Sequence, residues 1–558
     1  MKIIEKKNNL FLILALLLVF LVHSSYINNG FTWLDHGDIE GGRTVLPITQ
    51  LEKAFFTRFG ETNFYRPLVT VFNSVDDFIY KKNPLGFHLT NIFLLLSVTV
   101  ASYFFVRTFF DLKQKESIFV AFLVGIHPLS ILPVGVISYR QELLVVMFTF
   151  ATLTAYIKAR STIKTNWYII FVFFWLMALV SKETALFWVP ALIFIWEWSR
   201  GFKNLRREFW YFTTFFLTTS VYIFLRVRAV PELWTKHGQY LNISEALGTR
   251  FSVFLTRLFE LVNPFKPSFS DATLISDITN FKSLIMVFIL TAGLVLILFS
   301  KKNYVIVRLI LFILITLLPA LSIVPLPRFS SSHYGFIATP AAGVMVILFL
   351  RFIFRSTGKT GKSIAVAVTG IWLLIMSVST FKAGFQFKND LSLFSLEVER
   401  DGNFKEGHFY LGDYYLRQGN FKEAEAHLEA SLEKNPRVIA FIDRTAAMTN
   451  LAGAYFSQQK FAKAEKLLKE LVIKSSGGNR LRAVYNLAVI AERKRDYKQV
   501  VNLLREEISQ WQESQPILLY VKGLVKTGRE AEGDRILKNS LLITDEQKRQ
   551  AVLQEFSR

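Results

Sequence analysis

The chain of 558 residues contains no cysteine. That excludes disulfides, a thiolate nucleophile and any cysteine-ligated metal from its chemistry. No ATP-binding motif is present, no cofactor is predicted, and no ligand spacing demands a metal, although carboxylates beside a lipid phosphate leave room for a divalent ion. Acidic residues are scarce next to basic ones, 43 Asp and Glu against 65 Lys and Arg. Much of that basic excess lies in short connections between apolar runs, which has a topological cause and argues against nucleic acid as a partner. What is plentiful is apolar: 52% of residues are hydrophobic, 55 are Phe, and the mean hydropathy is +0.34. Repeated long apolar stretches of this kind do not describe one soluble core. They describe an all-α, polytopic membrane protein in contact with a lipid bilayer. After about Lys388 the composition changes to Glu/Lys/Ala-rich amphipathic segments, so two domains are expected, 1–388 in the membrane and 389–558 outside it.

The first apolar run, 10–27, follows Lys2, Lys6 and Lys7 and is long for a signal core, which favours a retained anchor over cleavage near Ser24 and Ser25. Further spans are expected at 85–110, 117–137, 143–157, 167–180, 184–198, 209–225, 284–299, 305–324, 334–354 and 364–381, about eleven in all at about 20 residues per span. Every second connection is basic: Arg107, Lys113 and Lys115; Lys158, Arg160 and Lys164; Arg200, Lys203, Arg206 and Arg207; Lys301, Lys302 and Arg308; Arg351, Arg355, Lys359 and Lys362. Cytoplasmic loops carry such an excess. The N-terminus is therefore expected in the cytoplasm, with 28–84, 128–142, 181–183, 228–282, 325–333 and the tail on the opposite side. His127-Pro128 and Pro133 interrupt the 117–137 span and mark a candidate earlier end with a short helix beyond it. The 246–263 stretch carries Arg250, Arg257 and Glu260, which suits an interfacial or re-entrant helix better than a span.

The tail is repetitive. Leu411, Gly412, Tyr415, Gly419, Phe421, Ala424, Leu428 and Pro436 fall at tetratricopeptide-repeat offsets, a period of about 34 residues. A second copy has Leu451, Ala452, Tyr455, Phe461, Ala464 and Leu468, a third Leu487, Ala488, Ala491, Tyr497, Val500 and Leu504, and a degenerate fourth covers 514–540. An α-solenoid with a groove for an extended peptide or partner helix is expected, the alternative being an array that packs on its own membrane domain.

On the outer side, charged residues gather at the edges of apolar runs: Asp35 and Asp38, Arg140 and Glu142, Lys182 and Glu183, Arg328 and His333. With them stand Tyr65-Arg66-Pro67-Leu68, His88-Leu89-Thr90-Asn91, His127-Pro128 and the 334–343 segment. In these motifs and their order, including the C-terminal repeats, the chain resembles the bacterial relatives of the transmembrane and tetratricopeptide-repeat-containing O-mannosyltransferases of the GT-C superfamily. The resemblance implies a GT-C-like membrane domain that transfers a sugar from a polyprenyl-phosphate-linked donor, with inversion and without a nucleotide-sugar site. It also implies that an Asp of the first outer loop, here Asp35, is the base. Leu34 stands where the first acid of a common double-acidic motif lies, which keeps Asp38 as a second candidate. His333-Tyr334 stands where similar proteins have Arg-Tyr, before Phe336 and Pro340.

The chemistry suits these residue types. A hydroxyl acceptor needs a carboxylate to take its proton, and a departing lipid phosphate needs cations. Arg66, Arg140, Lys182 and Arg328 are the candidate phosphate ligands, Arg140 and Lys182 foremost. Pairing of Lys182 with Glu183 or Glu142 is the competing reading. His88 and Asn91 suit a polar contact between helices, and Glu142, Glu183 and His333 complete the candidate site. In the 65–80 stretch, apolar residues recur at helical spacing opposite Asn73, Asp76 and Asp77, so it is expected along the outer interface. The expected function is a glycosyltransferase of a bacterial inner membrane, with the repeats presenting a protein, peptide or glycan acceptor in the periplasm. The competing classes are a non-catalytic, membrane-anchored scaffold for envelope proteins and a flippase of lipid-linked sugar.

Overall fold

The computed structural model describes residues 2–162, 165–202, 209–231, 241–299, 304–322, 326–511, 514–540 and 545–557. Lys164, Lys203, Arg206, Arg207, Lys301 and Lys302 of the basic connections, 323–324 of the 305–324 span, and 232–240 and 325 of the expected outer segments lie outside these residues. The described chain is nearly all helical, with one two-stranded sheet of β1 (Thr273–Leu274) and β2 (Val438–Ile439), antiparallel, Thr273 opposite Ile439. It divides into two compact units, Met1–Asn403 with Pro436–Phe441, and Phe404–Asn435 with Ile442–Arg558. The break comes later than the composition change at 388/389 because the amphipathic Asp390–Arg400 helix buries Leu393, Phe394 and Glu397 within the first unit.

A helix lies at each of the eleven expected stretches of the first unit. Among the described residues six helices are long and apolar enough to cross a membrane, seven with the Gln114–Ile126 and Pro128–Gly135 pair, which bends by 49°. Leu10–Tyr26, Thr165–Ser181 and Ala185–Ser199 are shorter apolar helices, and Phe209–Ala229 ends in Arg226 and Arg228. These helices expose large apolar side chains such as Leu17, Phe216, Phe288 and Val368. So much apolar surface suits lipid, not water. The chain is a membrane protein.

The break at His127-Pro128 has a local cause. Pro128 removes an N–H, His127 is extended, and its Nδ1 accepts the Leu129 N–H at 3.2 Å, so the helix stops at Ile126 and a short buried helix follows. Small residues permit close packing elsewhere. A Cβ on Gly125 would lie 2.5 Å from Val19 of the first helix, and Gly384 allows Ser25 and Tyr26 to approach. The first helix is tied further by the Asn29 amide donating to the Gly384 carbonyl at 2.8 Å.

In the second unit, helix pairs Lys405–Arg417/Phe421–Leu432, Arg444–Ser457/Phe461–Lys474 and Gly477–Arg493/Tyr497–Arg505 stand where the repeats are expected, followed by Ser514–Lys526/Glu530–Asn539. Ala424, Leu428, Leu451, Ala452, Ala464 and Leu468 form one continuous core. Gly412 lets the first pair close, since a Cβ there would meet Leu428 at 2.6 Å. The Glu546–Ser557 helix covers the last pair through buried Leu553.

Candidate active site

The loop that follows the first helix is locally strained and well held. Trp33 is left-handed, φ 57°, a conformation that costs about 1–2 kcal/mol for a side chain of this kind. Its N–H donates to Asp390 Oδ1 at 2.8 Å, and its ring packs edge-on against Tyr139 and Phe394. Residues 36–40 then form a single π-helical turn, pinned by His36 Nε2 2.9 Å from Asp390 Oδ2. Such turns recur at functional sites.

Asp35 and Asp38 leave this loop for different surroundings. Asp35 has no exposed surface. Its Oδ1 accepts the Ser138 N–H at 2.7 Å, and its Oδ2 accepts those of Ile137 at 3.2 Å and Thr32 at 3.5 Å. Burial pushes its carboxyl up to about 7, against the lowering effect of the Ser138 and Ile137 donors. Asp38 pairs with Arg43, Nη2 to Oδ1 2.6 Å. Gly37 makes room for that reach, since a Cβ there would collide with the Arg43 guanidinium at 2.7 Å. Burial raises the Asp38 carboxyl, while Arg43 and Arg66 draw it back.

Arg66 binds Glu183 through two contacts, Nη2 to Oε1 2.8 Å and Nε to Oε2 3.2 Å, with its guanidinium 4.0 Å from the centre of the Phe64 ring. Burial alone would raise the Glu183 carboxyl, but the Arg66 and Lys182 charges outweigh it and hold the group well below the carboxylate range. Lys182 reaches Glu142, Nζ to Oε1 2.5 Å, and His333 Nε2 stands 3.6 Å from the same oxygen. Ser331 lies 2.7 Å from His333 Nδ1, and the His333 ring is 4.4 Å from Tyr139 and 4.2 Å from Tyr334. The Arg328 guanidinium lies 5.4 Å from the Trp33 ring centre and 5.0 Å from that of Phe441. Lys182, Arg328, Arg257 and Arg66 all act electrostatically on His333. Asp38, Arg66, Glu142, Lys182, Glu183, Arg328 and His333 thus form one cluster. Two of its cations, Arg66 and Lys182, are held by carboxylates, and Arg328 stands against aromatic rings, an arrangement able to receive an anion if those carboxylates yield.

Arg140 is engaged in a second network. It is wholly buried, pairs with Asp76 at 2.6 Å, and donates to Asn91 Oδ1 at 2.8 Å, Asn73 Oδ1 at 3.2 Å and the Phe87 carbonyl at 3.3 Å. Asn91 donates in turn to the Pro133 and Val134 carbonyls at 3.5 and 3.4 Å, and His88 Nε2 lies 3.2 Å from the Gly30 carbonyl. The Pro67–Tyr80 helix is inside-out: Phe78 and Ile79 are exposed, whereas Asn73 and Asp76 are buried. That polarity is expected at a lipid boundary. Lys182 takes Glu142 and leaves Glu183 to Arg66, which settles the pairing that the sequence leaves open.

Arg43, Trp33, Tyr139 and Asp390 are not among the candidate site residues of the sequence, and Asp76 stands there only on the polar face of the 65–80 stretch. Asp76 has a signal, an acid on the polar face of an amphipathic stretch, and so do the His36 and Arg43 flanks of Asp38; Asp390 has none. Among the described residues no group of three His, Asp or Glu side chains stands close enough to hold a metal.

Residues 409–479 match the tetratricopeptide repeat family. The chain is also 25% identical over 391 residues to Protein O-mannosyl-transferase F38B6.6 of Caenorhabditis elegans, across 67% of this chain and 54% of the relative. It therefore spans about half the length of the curated relative it matches. No solved structure matches. The chain is thus distantly similar to a protein O-mannosyltransferase, and a stretch of its own tail matches the tetratricopeptide repeat.

Proposed function

We propose that this protein is an integral-membrane glycosyltransferase that moves a sugar from a polyprenyl-phosphate-linked donor to a hydroxyl of a protein or envelope glycan. The observation that carries the reading is the convergence of the acid Asp38 with Arg66, Lys182 and Arg328 in one largely buried cluster, built from loop and helix-end residues expected on one side of the membrane. Asp38 is the proton acceptor. It lies within electrostatic reach of Arg66, whereas both Asp35 oxygens accept main-chain N–H groups and no Asp35 surface is open. Asp35 is a positioning residue that fixes the 137–138 backbone against the loop.

The acceptor oxygen attacks the anomeric carbon as its proton passes to Asp38. The bond from that carbon to the lipid phosphate breaks, and its electron pair leaves with the phosphate. Arg66 and Lys182 exchange Glu183 and Glu142 for phosphate oxygens, and Arg328 adds charge beside Trp33. A single displacement of this kind inverts the anomeric centre. Arg140, His88 and Asn91 form scaffold, and His333 steadies Glu142. The donor sugar is a hexose, for which the relative's name suggests mannose. The pattern of basic connections supports a bacterial inner membrane location, with the N-terminus cytoplasmic and the repeats periplasmic, where they present the acceptor.

Mass spectrometry of envelope proteins and glycans from matched wild-type and deletion strains tests this reading. A hexose-sized adduct absent from the deletion strain is expected, and identical profiles would refute it. The repeats taken alone equally support a scaffold. An Asp38→Asn protein that keeps its partners but loses the adduct separates the two.

A further inference from the structure

A cleft of about 670 Å³ opens in the first unit, walled by the Ile243–Glu260 helix, the β1–β2 pair and residues 400–403. That volume lies within the range of ligand sites. Its walls are rich in hydroxyls and amides, among them Ser252, Thr256, Ser270, Ser276, Asn280 and Asn403. Among the described lining residues none is aromatic, and the cations Arg257, Lys282 and Arg400 are nearly balanced by Glu260 and Asp401. Such a lining suits neither a hydrocarbon tail nor a polyanion. It suits a neutral chain of alternating donors and acceptors.

Two features specify that chain further. Thr273, Leu274 and Val438 of the strand pair stand in the wall, and Leu274 keeps 67% of its surface exposed. Short strands of this kind take an extended peptide by main-chain hydrogen bonding. Arg257, 5% exposed, donates to Glu260 at 2.5 Å and Ser330 at 3.1 Å, while its Nε has no partner among the described residues. A buried donor left unpaired is costly, and a peptide carbonyl would satisfy it. Ser330 also connects the two places: it lines the cleft and sits between Arg328 and His333 of the charged cluster.

We propose that this cleft docks the acceptor polypeptide as an extended segment along β1, with its Ser or Thr hydroxyl carried past Ser330 toward Asp38. The assignment rests on the transferase reading and adds to it the place where the acceptor binds, a cleft of the first unit.

The test uses the full-length protein in nanodiscs, a biotinylated peptide of alternating Ala and Thr, and benzoylphenylalanine in place of Leu274. Light should attach the peptide at position 274. Independently, Thr256→Trp, an exposed helix position on the cleft wall, should raise the peptide KM about tenfold or more while hydrolysis of the lipid-linked sugar by water stays unchanged. Absence of labelling, labelling of phospholipid in place of peptide, or a Thr256→Trp protein with wild-type KM would overturn the docking site. Peptide labelling without any sugar transfer by the wild type would keep the cleft as a peptide site and remove the transferase reading.

Discussion

Replacing Arg140 separates scaffold from phosphate ligand. Arg140→Met removes the cation paired with Asp76 at 2.6 Å and the donors to Asn91, Asn73 and the Phe87 carbonyl. Asp76 is only 4% exposed. Burial raises its carboxyl, and the Arg140 charge is the largest effect opposing that rise. Breaking a buried pair by removing one partner costs about 3–5 kcal/mol, and each orphaned buried acceptor adds about 1–3 kcal/mol, not additively. The single variant should therefore unfold several degrees below wild type in detergent, followed by tryptophan fluorescence. Adding Asp76→Leu removes the stranded charge and should return most of the loss, because an apolar pair of similar volume is close to neutral. The double variant should then transfer sugar at nearly the wild-type rate. A double variant that is fully stable yet has lost donor binding would refute the reasoning and return Arg140 to the phosphate site.

Three further outcomes follow from the same geometry. The folded Asp35 carboxyl lies at about 7 against an ordinary 3.8, so the folded state binds more protons between these values and stability should fall as pH rises through that window. The difference amounts to about 4 kcal/mol. Thermal midpoints between pH 4 and pH 8 check it, and Asp35→Asn should flatten the slope. Because the chain lacks cysteine, single cysteines are unambiguous reporters. Thr57→Cys and Ser509→Cys should react with an impermeant maleimide from the same side, and Lys113→Cys from the other. In the repeat unit, His408 and His427 meet Nδ1 to Nδ1 at 3.0 Å, and burial lowers the His427 imidazole. Stability of the first helix pair should therefore be lost as pH falls below the ordinary histidine value. Hydrogen exchange in 405–432 should speed up there, and His427→Gln should abolish the change.

Much of the architecture is legible because its signals are local. Apolar runs become helices, His127-Pro128 ends one at Ile126, and small residues at repeat offsets close the helix pairs. The site is legible only as a set of residues. The basic connections lead one to expect Asp35, Asp38, Arg66, Glu142, Lys182, Glu183, Arg328 and His333 on one side of the membrane. Which cation meets which acid cannot be read from them, since the Arg66–Glu183 and Arg140–Asp76 pairs join segments far apart in the chain and depend on packing. Arg140 illustrates the consequence. Beside Glu142 at the edge of an apolar run it looks like a phosphate ligand, and the inward polar face of the Pro67–Tyr80 helix takes it instead. The first compact unit runs on to Asn403, past the composition change at 388/389, for a related reason: the Asp390–Arg400 helix has the composition of the tail, but Glu397 accepts the Phe269 N–H at 2.9 Å and binds Lys266.

The central claim is tested most directly by reconstituting the purified protein with a radiolabelled polyprenyl-phosphate mannose and a hydroxyl-bearing acceptor peptide, wild type beside Asp38→Asn. The account predicts label in the peptide with wild type and a loss of about a hundredfold or more with Asp38→Asn, with folding and donor binding retained. Equal transfer by the two proteins, or none by wild type with this class of donor, would contradict it.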